Sequence, residues 1–252
     1  GNAGTGSAFS GAAQSRPGQP GFAMRPALIQ LAGVTKTYRA KGLSTEVLMG
    51  IDLDIGQGEF VAIMGSSGSG KTTLLNIIGG LDSADEGSVR VEGRELAHLT
   101  PAQLAEMRLR KVGFVFQAYN LIPVLSALEN VEFVMLLQGV PAAERRDRAR
   151  AILAEVGLGE MGDRRPAELS GGQQQRVAVA RAIVAAPTIV LADEPTANLD
   201  SKAGKGLLSL MEEMNARKNV TFVFSTHDRM VMDFARRLVL LHDGRVAEDR
   251  VK

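Results

Sequence analysis

The sequence predicts an α/β fold built on a parallel sheet with helices covering both faces. Two observations carry this prediction: short, continuously apolar runs, and longer stretches between them that have helical spacing. A run without polar alternation is typical of a central strand that is buried on both sides. Such runs occupy residues 60–64, 112–116, 188–192 and 221–224.

Two other segments predict strands with one solvated face or an edge position. Residues 51–55 alternate apolar and acidic side chains, which indicates a half-buried strand. Residues 238–246 form a predicted hairpin, because Asp243-Gly244 is a turn sequence between two apolar runs. The segment at about 117–184 has helical spacing and no strand pattern. We therefore expect a helical insertion in the α/β core.

Composition and charge exclude several classes of protein. The 252 residues carry a formal net charge of +1, so no global field attracts nucleic acid, and we expect no nucleic acid partner. The chain has no cysteine, which excludes disulfides and fits a reducing compartment. No apolar run reaches the roughly 20 residues of a membrane-spanning helix, so a membrane partner would have to supply any span.

The first residues differ in composition from the rest of the chain. Residues 1–23 are rich in Gly, Ala, Ser, Pro and Gln and contain no apolar core. This composition argues against a secretory signal and indicates a flexible leader or tag. We therefore expect the folded domain to occupy residues 24–252.

A glycine-rich loop follows the first apolar run and precedes a helix that begins near Lys71. Glycines let the backbone wrap around a phosphate, and the helix N-terminus adds its positive dipole end. Lys71 would reach the β- and γ-phosphates, and the Thr72 hydroxyl would ligate Mg²⁺. The alternative is a Gly/Ser-rich surface turn. The residues predicted to bind ATP here are Gly65, Ser66, Ser67, Gly68, Ser69, Gly70, Lys71, Thr72 and Thr73.

Two consecutive carboxylates end the third apolar run. Asp193 emerges where the buried strand stops, which is where open α/β sheets bind ligands, and it is the expected second Mg²⁺ ligand. Glu194 is the next residue, so its side chain points differently and can face an attacking water. The alternative is that Asp193 and Glu194 only end a strand and cap a helix.

Further motifs resemble those of the ABC ATPases and occur in that family's order along residues 28–246. The sequence Leu169-Ser170-Gly171-Gly172-Gln173 resembles the family signature. The other matching residues are Tyr38 (the aromatic that stacks on adenine), Gln117 (the Q-loop glutamine), Asp200 with Asn198-Leu199 (the D-loop) and His227 (the switch histidine). A P-loop by itself would leave kinases, GTPases and motors open.

The resemblance implies a fold and a set of roles. The fold is a P-loop NTPase (RecA-like) core with an N-terminal antiparallel β-subdomain and a helical subdomain inserted at about 117–184. The catalytic residues would be Glu194, His227, Gln117 and Lys71, and Gln117 would also help Thr72 and Asp193 to hold Mg²⁺. The nucleotide would be ATP, contacted by Tyr38 and the phosphate loop.

The family likeness also implies a dimer. Residues 170–172 open a second helix with an exposed N-terminus suited to an anion, although the same geometry serves a simple cap. Because this chain's own ATP already has a phosphate loop, the second helix end is expected to face the ATP held by another copy. Ser170, Gly171 and Gly172 would then complete the partner's site, and the resemblance implies that Gln173 and Asp200 also bind nucleotide.

Within the family, the likeness is to the lipoprotein-releasing and macrolide-export group, which also contains a cell-division member. This likeness rests on the segments 79–82, 127–131 and 173–177. At residue 197 the chain has alanine, where that group usually has glycine. The likeness implies a motor that drives a separate integral membrane permease from the cytoplasmic face of the inner membrane. A non-transporting complex that signals to a cell-wall or cell-division enzyme remains an alternative. An ABC protein of DNA repair or translation is disfavoured, because this chain has neither a long coiled-coil insertion nor two cassettes.

Overall fold

A computed structural model describes residues 27–40 and 42–252, so the predicted leader at 1–23 lies outside the described residues. Its ten strands are β1 Ala27–Ala40, β2 Leu43–Gly56, β3 Phe60–Met64, β4 Glu86–Val91, β5 Arg94–Glu95, β6 Val112–Val115, β7 Ile189–Asp193, β8 Thr221–Thr226, β9 Arg237–His242 and β10 Arg245–Val251. Its α-helices are α1 Lys71–Ile78, α2 Pro101–Lys111, α3 Ala127–Leu137, α4 Ala142–Glu155, α5 Gly171–Val184, α6 Ser201–Lys218 and α7 Arg229–Phe234. Short 3-10 helices occupy Leu96–His98, Gly159–Met161 and Pro166–Glu168.

The larger sheet has six strands in the order β10-β9-β3-β8-β7-β6. The strands from β9 to β6 are parallel, and β10 pairs antiparallel with β9 at the edge. The four continuously apolar runs become β3, β6, β7 and β8, which confirms the predicted parallel sheet. The bounds of three strands differ: Phe116 leaves β6 because its carbonyl accepts the Tyr119 N–H in a turn, β7 begins at Ile189 and keeps Asp193 opposite Ser225, and β8 extends two residues further, to Thr226.

Both faces of this sheet are buried, as the absence of polar alternation predicts. Alternate residues of β3 enter different cores: Ala62 joins the core under α3 to α7, whereas Val61 and Ile63 join the core shared with α1 and α2. The rings of Phe60 and Phe224 pack with centroids 4.7 Å apart in the first core. Burial of each such ring stabilises the fold by about 1.5–3 kcal/mol.

The smaller sheet is antiparallel, with strand order β2-β1-β4-β5. The predicted half-buried strand at 51–55 is part of β2, where Ile51, Leu53 and Ile55 are buried and Asp52 and Asp54 are exposed. This sheet confirms the N-terminal antiparallel β-subdomain. It packs against α1 and closes the second core.

The predicted hairpin joins β9 to β10. Its turn residues Asp243 and Gly244 both have positive φ, 45° and 69°, as a tight two-residue hairpin turn requires. Between β6 and β7 the chain forms α3, α4 and α5 and contains no strand within residues 117–184, all of which are described. The helical insertion in the core is therefore confirmed.

The strand order brings four chain segments to one edge of the larger sheet. Strands β3, β8, β7 and β6 are neighbours and run parallel, so the residues that follow each of them emerge together. Those residues begin at Gly65, His227, Glu194 and Phe116. Among residues 27–40 and 42–252, no helix combines the length and apolar character needed to cross a membrane.

Candidate functional site

The loop between β3 and α1 has the backbone of an anion site. Gly68 and Gly70 have φ of 78° and 99°, in the left-handed region that favours glycine. A Cβ at Gly70 would also lie 2.8 Å from Leu48 Cδ2. Helix α1 begins with no side chain capping its first N–H groups, so these donors are free for an anion. Ser66, Ser67 and Gly68 are exposed, which leaves the loop accessible.

Two side chains of the loop are buried within it. Lys71 is 8% exposed, and its Nζ donates to the carbonyls of Gly65 and Ser66 at 2.8 and 2.9 Å. The Ser69 hydroxyl is buried and has no hydrogen-bond partner among the described residues. A loop that offers a cation, free amides and an unsatisfied hydroxyl suits a polyphosphate, which supplies the missing acceptors.

The predicted Mg²⁺ ligands Thr72 and Asp193 lie together. Thr72 Oγ1 donates to the Asp193 carboxylate, 3.1 Å from each oxygen, and Ser225 Oγ donates to Asp193 Oδ1 at 2.8 Å. Mg²⁺ prefers oxygen ligands and is usually held by one or two protein groups plus substrate phosphates. The pair fits this chemistry, and the described residues contain no cluster of three or more His or carboxylate groups that could hold a metal alone.

Glu194 and His227 are in direct contact. His227 Nδ1 lies 2.7 Å from Glu194 Oε1, and the Thr226 hydroxyl donates to Glu194 Oε2 at 3.3 Å. The Glu194 side chain is 14% exposed, whereas that of His227 is 72% exposed. Glu194 has a φ of 45°, which costs a non-glycine residue about 1–2 kcal/mol, and its N–H is held by the Ser225 carbonyl at 2.9 Å.

Gln117 begins a loop that is held by its neighbours. Its carbonyl accepts a hydrogen bond from Asn198 Nδ2 at 2.9 Å. Arg181 of α5 donates to the carbonyls of Asn120 and Tyr119 at 2.6 and 3.0 Å, and burial lowers the pKa of this guanidinium. The Gln117 side chain is exposed and makes no hydrogen bond to the described residues, so the structure does not bring it onto Thr72 or Asp193.

Tyr38 lies next to the phosphate loop. Its ring is 42% exposed, and its hydroxyl is 3.5 Å from Thr73 Oγ1 and donates to Asp82 Oδ2 at 2.6 Å. An exposed ring beside the loop is a suitable stacking surface for a base. The sequence predicted the residue but not its carboxylate partner.

The predicted signature residues form a helix cap. Ser170 Oγ accepts the Gln173 N–H at 3.3 Å, and Gln173 Oε1 accepts the Ser170 N–H at 2.9 Å, which makes a capping box at the start of α5. Asp200 likewise caps α6 by accepting the Ala203 N–H at 2.9 Å. No hydrogen bond or ion pair joins Ser170, Gly171, Gly172 or Gln173 to the phosphate loop within the described part of this chain.

Sequence reasoning missed several residues that hold these segments in place. Gln175 is fully buried, and its Nε2 donates to the carbonyls of Phe116 and Pro195 at 3.4 and 2.7 Å. It thus ties α5 to the segments that carry Gln117 and Glu194. No local sequence pattern identifies this residue, because its burial and its partners arise only in the folded chain. Ala197 is not among the described residues with positive φ, so alanine fits this turn without strain.

A parallel sheet with a phosphate loop, an adjacent Thr–Asp pair and a glutamate at the same edge defines a P-loop nucleotide hydrolase. A family model described as "ABC transporter" matches residues 48–197, more than half of the chain. The chain belongs to the ABC transporter family, as its ATPase cassette, and the predicted family and ATPase activity are confirmed.

Two of its relatives differ in how much of their own length this chain covers. The macrolide export ATP-binding/permease protein MacB 1/2 of Paracoccus denitrificans is 50% identical over 223 residues, covering 88% of this chain and 33% of that protein. An uncharacterised ABC transporter ATP-binding protein of Thermotoga maritima is 47% identical over 219 residues, 87% of this chain and 93% of that protein. The chain therefore spans about a third of the length of the macrolide export relative.

Solved structures agree with the fold. The ATP-binding cassette MJ0796, described as dimeric and in a post-hydrolysis state bound to ADP and Pi, is 44% identical with a TM-score of 0.83, covering 88% of this chain and 98% of that one. The CbiO1 protein of Clostridium perfringens, part of an ABC transporter complex, is 27% identical with a TM-score of 0.80, covering 88% of each chain.

Proposed function

We propose that this chain is the ATP-hydrolysing motor subunit of an ABC transporter of the lipoprotein-release or macrolide-export type, which dimerises on ATP and drives a separate membrane subunit. The observation that carries the hydrolytic part is the convergence of Lys71, the Thr72–Asp193 pair and the Glu194–His227 pair at one sheet edge. The assignment to the lipoprotein-release or macrolide-export type rests on the MacB relatives.

The phosphate loop binds and orients ATP. Lys71 exchanges its two carbonyl contacts for β- and γ-phosphate oxygens, which neutralises charge that develops as the terminal phosphoryl group is transferred. Thr72 and Asp193 would hold Mg²⁺, which when bound screens the phosphate charges. Tyr38 supplies a stacking face for adenine.

Glu194 orients and deprotonates the attacking water, a role typically worth about 10²- to 10⁴-fold in rate. His227 fixes one carboxylate oxygen and Thr226 the other, so the side chain has little freedom to rotate away. The positive φ of Glu194 supports this reading, because strained backbone persists where the surrounding structure holds a side chain for a function.

The active unit is a pair of chains. The start of α5, with Ser170, Gly171, Gly172 and Gln173, and the start of α6 at Asp200 make no polar contact with their own phosphate loop. In a head-to-tail pair each would face the partner's ATP; the Ser170 cap uses only the Gln173 N–H, so the Gly171 and Gly172 N–H groups at the start of α5 remain for an anion. The dimeric MJ0796 cassette supports this arrangement.

The membrane subunit would dock on the helical insertion. Val124, Phe133, Leu136 and Leu137 are exposed apolar residues on α3 and the loop before it, and exposed apolar patches often mark partner sites. The loop that starts at Gln117 joins this surface to the ATP site. In this proposal the chain works at the cytoplasmic face of the membrane and is held there by its partner.

The test of hydrolysis is Glu194→Gln. The amide cannot accept the water's proton, so MgATP affinity should persist while the turnover rate falls at least about a hundredfold. Glu213→Gln, which removes an exposed carboxylate paired only with Arg217, is the matched control and should keep wild-type turnover. Turnover by Glu194→Gln at the wild-type rate would remove Glu194 from the mechanism.

A further inference from the structure

The loop that follows α1 forms hydrogen bonds with two side chains of the strand that carries Tyr38. Asp82 Oδ2 accepts the Tyr38 hydroxyl at 2.6 Å, and Asp82 Oδ1 accepts Lys36 Nζ at 2.8 Å. Lys36 Nζ also donates to the Ser83 carbonyl at 2.7 Å and lies 5.3 Å from the centre of the Tyr38 ring. The ring is therefore fixed at its tip by a carboxylate and along its face by a buried ammonium.

Asp82 and Tyr38 have the protonation states that their hydrogen bond requires. Burial alone would raise the pKa of the Asp82 carboxyl, but hydrogen bonds from Lys36, Tyr38 and the Ser83 N–H hold it below its ordinary value. Burial, followed by the hydrogen bond to Asp82, raises the pKa of Tyr38. Asp82 is therefore an ionised acceptor and Tyr38 a protonated donor throughout the neutral range.

The same helix links this group to the phosphate loop. Helix α1 carries Lys71 at its start, and near its end the Asn76 carbonyl accepts the N–H groups of Leu81 and Asp82 at 2.8 and 3.2 Å. The Tyr38 hydroxyl is also 3.5 Å from Thr73 Oγ1 in the first turn. The position of the ring relative to the loop is thus set by about two turns of helix.

We propose that Asp82 is a positioning residue for the nucleobase: it holds the Tyr38 ring through the phenolic hydroxyl, as a preset platform for the adenine of ATP. This inference rests on the proposed function, in which Tyr38 stacks on the base. An unanchored exposed ring would have to be ordered when the base binds, and the anchor removes that cost from binding. The base is thereby aligned with the phosphates before ATP arrives.

Comparing the affinities for two ligands distinguishes a role of Asp82 in positioning the base from a purely structural role. Calorimetry on the full chain would measure affinity for MgATP and for inorganic tripolyphosphate, which has no base. Tyr38→Phe removes only the hydroxyl, whereas Asp82→Ala removes its acceptor together with the contacts to Lys36 and the Ser83 N–H; each should weaken ATP binding about three- to tenfold and leave tripolyphosphate binding unchanged. Asp82→Asn keeps a carbonyl acceptor and should recover part of the loss.

Asp85→Ala is the matched control. Asp85 lies 3.9 Å from Lys36 Nζ and accepts the Thr37 N–H at 2.7 Å, but it does not contact the Tyr38 hydroxyl. Its ATP affinity should stay near that of the wild type. The double variant Tyr38→Phe/Asp82→Ala should bind ATP no more weakly than the weaker single variant, because both substitutions remove the same contact.

Tyrosine fluorescence reports the contact directly. Tyr38 and Tyr119 are the only tyrosines and the chain has no tryptophan, so a Tyr119→Phe background leaves Tyr38 as the single emitter. A carboxylate acceptor quenches phenol emission, so Asp82→Ala in this background should brighten it, whereas Asp85→Ala should not. ATP should change the emission more than tripolyphosphate does.

The outcomes are distinct. Unchanged ATP affinity in folded Tyr38→Phe and Asp82→Ala, an equal loss for tripolyphosphate, or additive losses in the double variant would overturn the positioning role. Failure of the wild-type chain to bind MgATP would overturn the proposed function itself. Wild-type ATP affinity in Tyr38→Leu would show that the base binds elsewhere, and would refute the inference while leaving hydrolysis in place.

Discussion

Lys71 is the residue on which nucleotide affinity should depend most. Its ammonium is almost fully buried on the carbonyls of Gly65 and Ser66, at the free N-terminus of α1. Lys71→Ala removes the cation that faces several phosphate charges while the helix end remains. We expect MgATP affinity to fall about tenfold to a hundredfold with the fold intact, measured by calorimetry and circular dichroism.

Lys205→Ala controls for the lost charge. Lys205 is an exposed lysine on α6, and its removal should leave MgATP affinity at the wild-type value. If Lys71→Ala binds MgATP as tightly as this control, the loop is not the phosphate site.

Single residues also show why part of the site could be predicted and part could not. The residues that form the phosphate loop are consecutive in the sequence. The spacing of its glycines and the residues that follow them were therefore enough to predict the loop. Asp193, Glu194 and His227 follow apolar runs that become neighbouring strands, and strand ends could be placed at one edge. The partners of Gln175 lie 59 and 20 residues away along the chain and those of Arg181 lie 61 and 62 residues away, and no local pattern specifies such pairs.

At the scale of elements, α3 and α5 have different tasks. Helix α5 is an anchor: Gln175 and Arg181 bind backbone carbonyls of the loops next to the ATP site. Helix α3 instead exposes Phe133, Leu136 and Leu137 to solvent. The apolar residues Leu121 and Ile122, which follow Gln117 in the sequence, are a second candidate docking segment, but Leu121 is half-buried against the core, so a charge there would test packing as much as docking.

A cleaner docking test uses the exposed residues. Leu137→Asp and Val124→Asp change side chains that are 59% and 73% exposed, so folding and ATP affinity should be retained. Loss of a few apolar anchors should weaken assembly with the membrane subunit at least about tenfold. The measurement is co-purification from detergent extracts together with MgATP affinity.

Leu43→Asp provides the comparison. Leu43 is 76% exposed at the start of β2, away from the helical insertion, and its substitution should leave assembly unchanged. Normal assembly by both Leu137→Asp and Val124→Asp would place the docking surface elsewhere. The co-purified protein would also distinguish a permease from a partner that only transmits a signal.

At the scale of the whole molecule, the proposed function assigns to one chain both halves of an ATP site, which make no polar contact with each other within the described residues. The phosphate loop, Asp193 and Glu194 lie at the edge of the larger sheet, whereas Ser170 caps α5 without a polar contact to that loop. The fold could be predicted well because strands and helices follow local patterns. The pairing of two chains was predicted only from the family likeness, because the contacts that would complete the proposed site belong to another copy.

Mixing two inactive variants tests the shared site most directly. Lys71→Ala disables the loop of one chain, and Ser170→Arg disables the contact that the other chain offers its partner. Each heterodimer then contains one intact composite site, so a 1:1 mixture with the membrane subunit present should recover roughly a quarter of wild-type hydrolysis if chains pair at random. A mixture no more active than the two variants assayed separately would contradict the account, because each ATP would then be hydrolysed within a single chain.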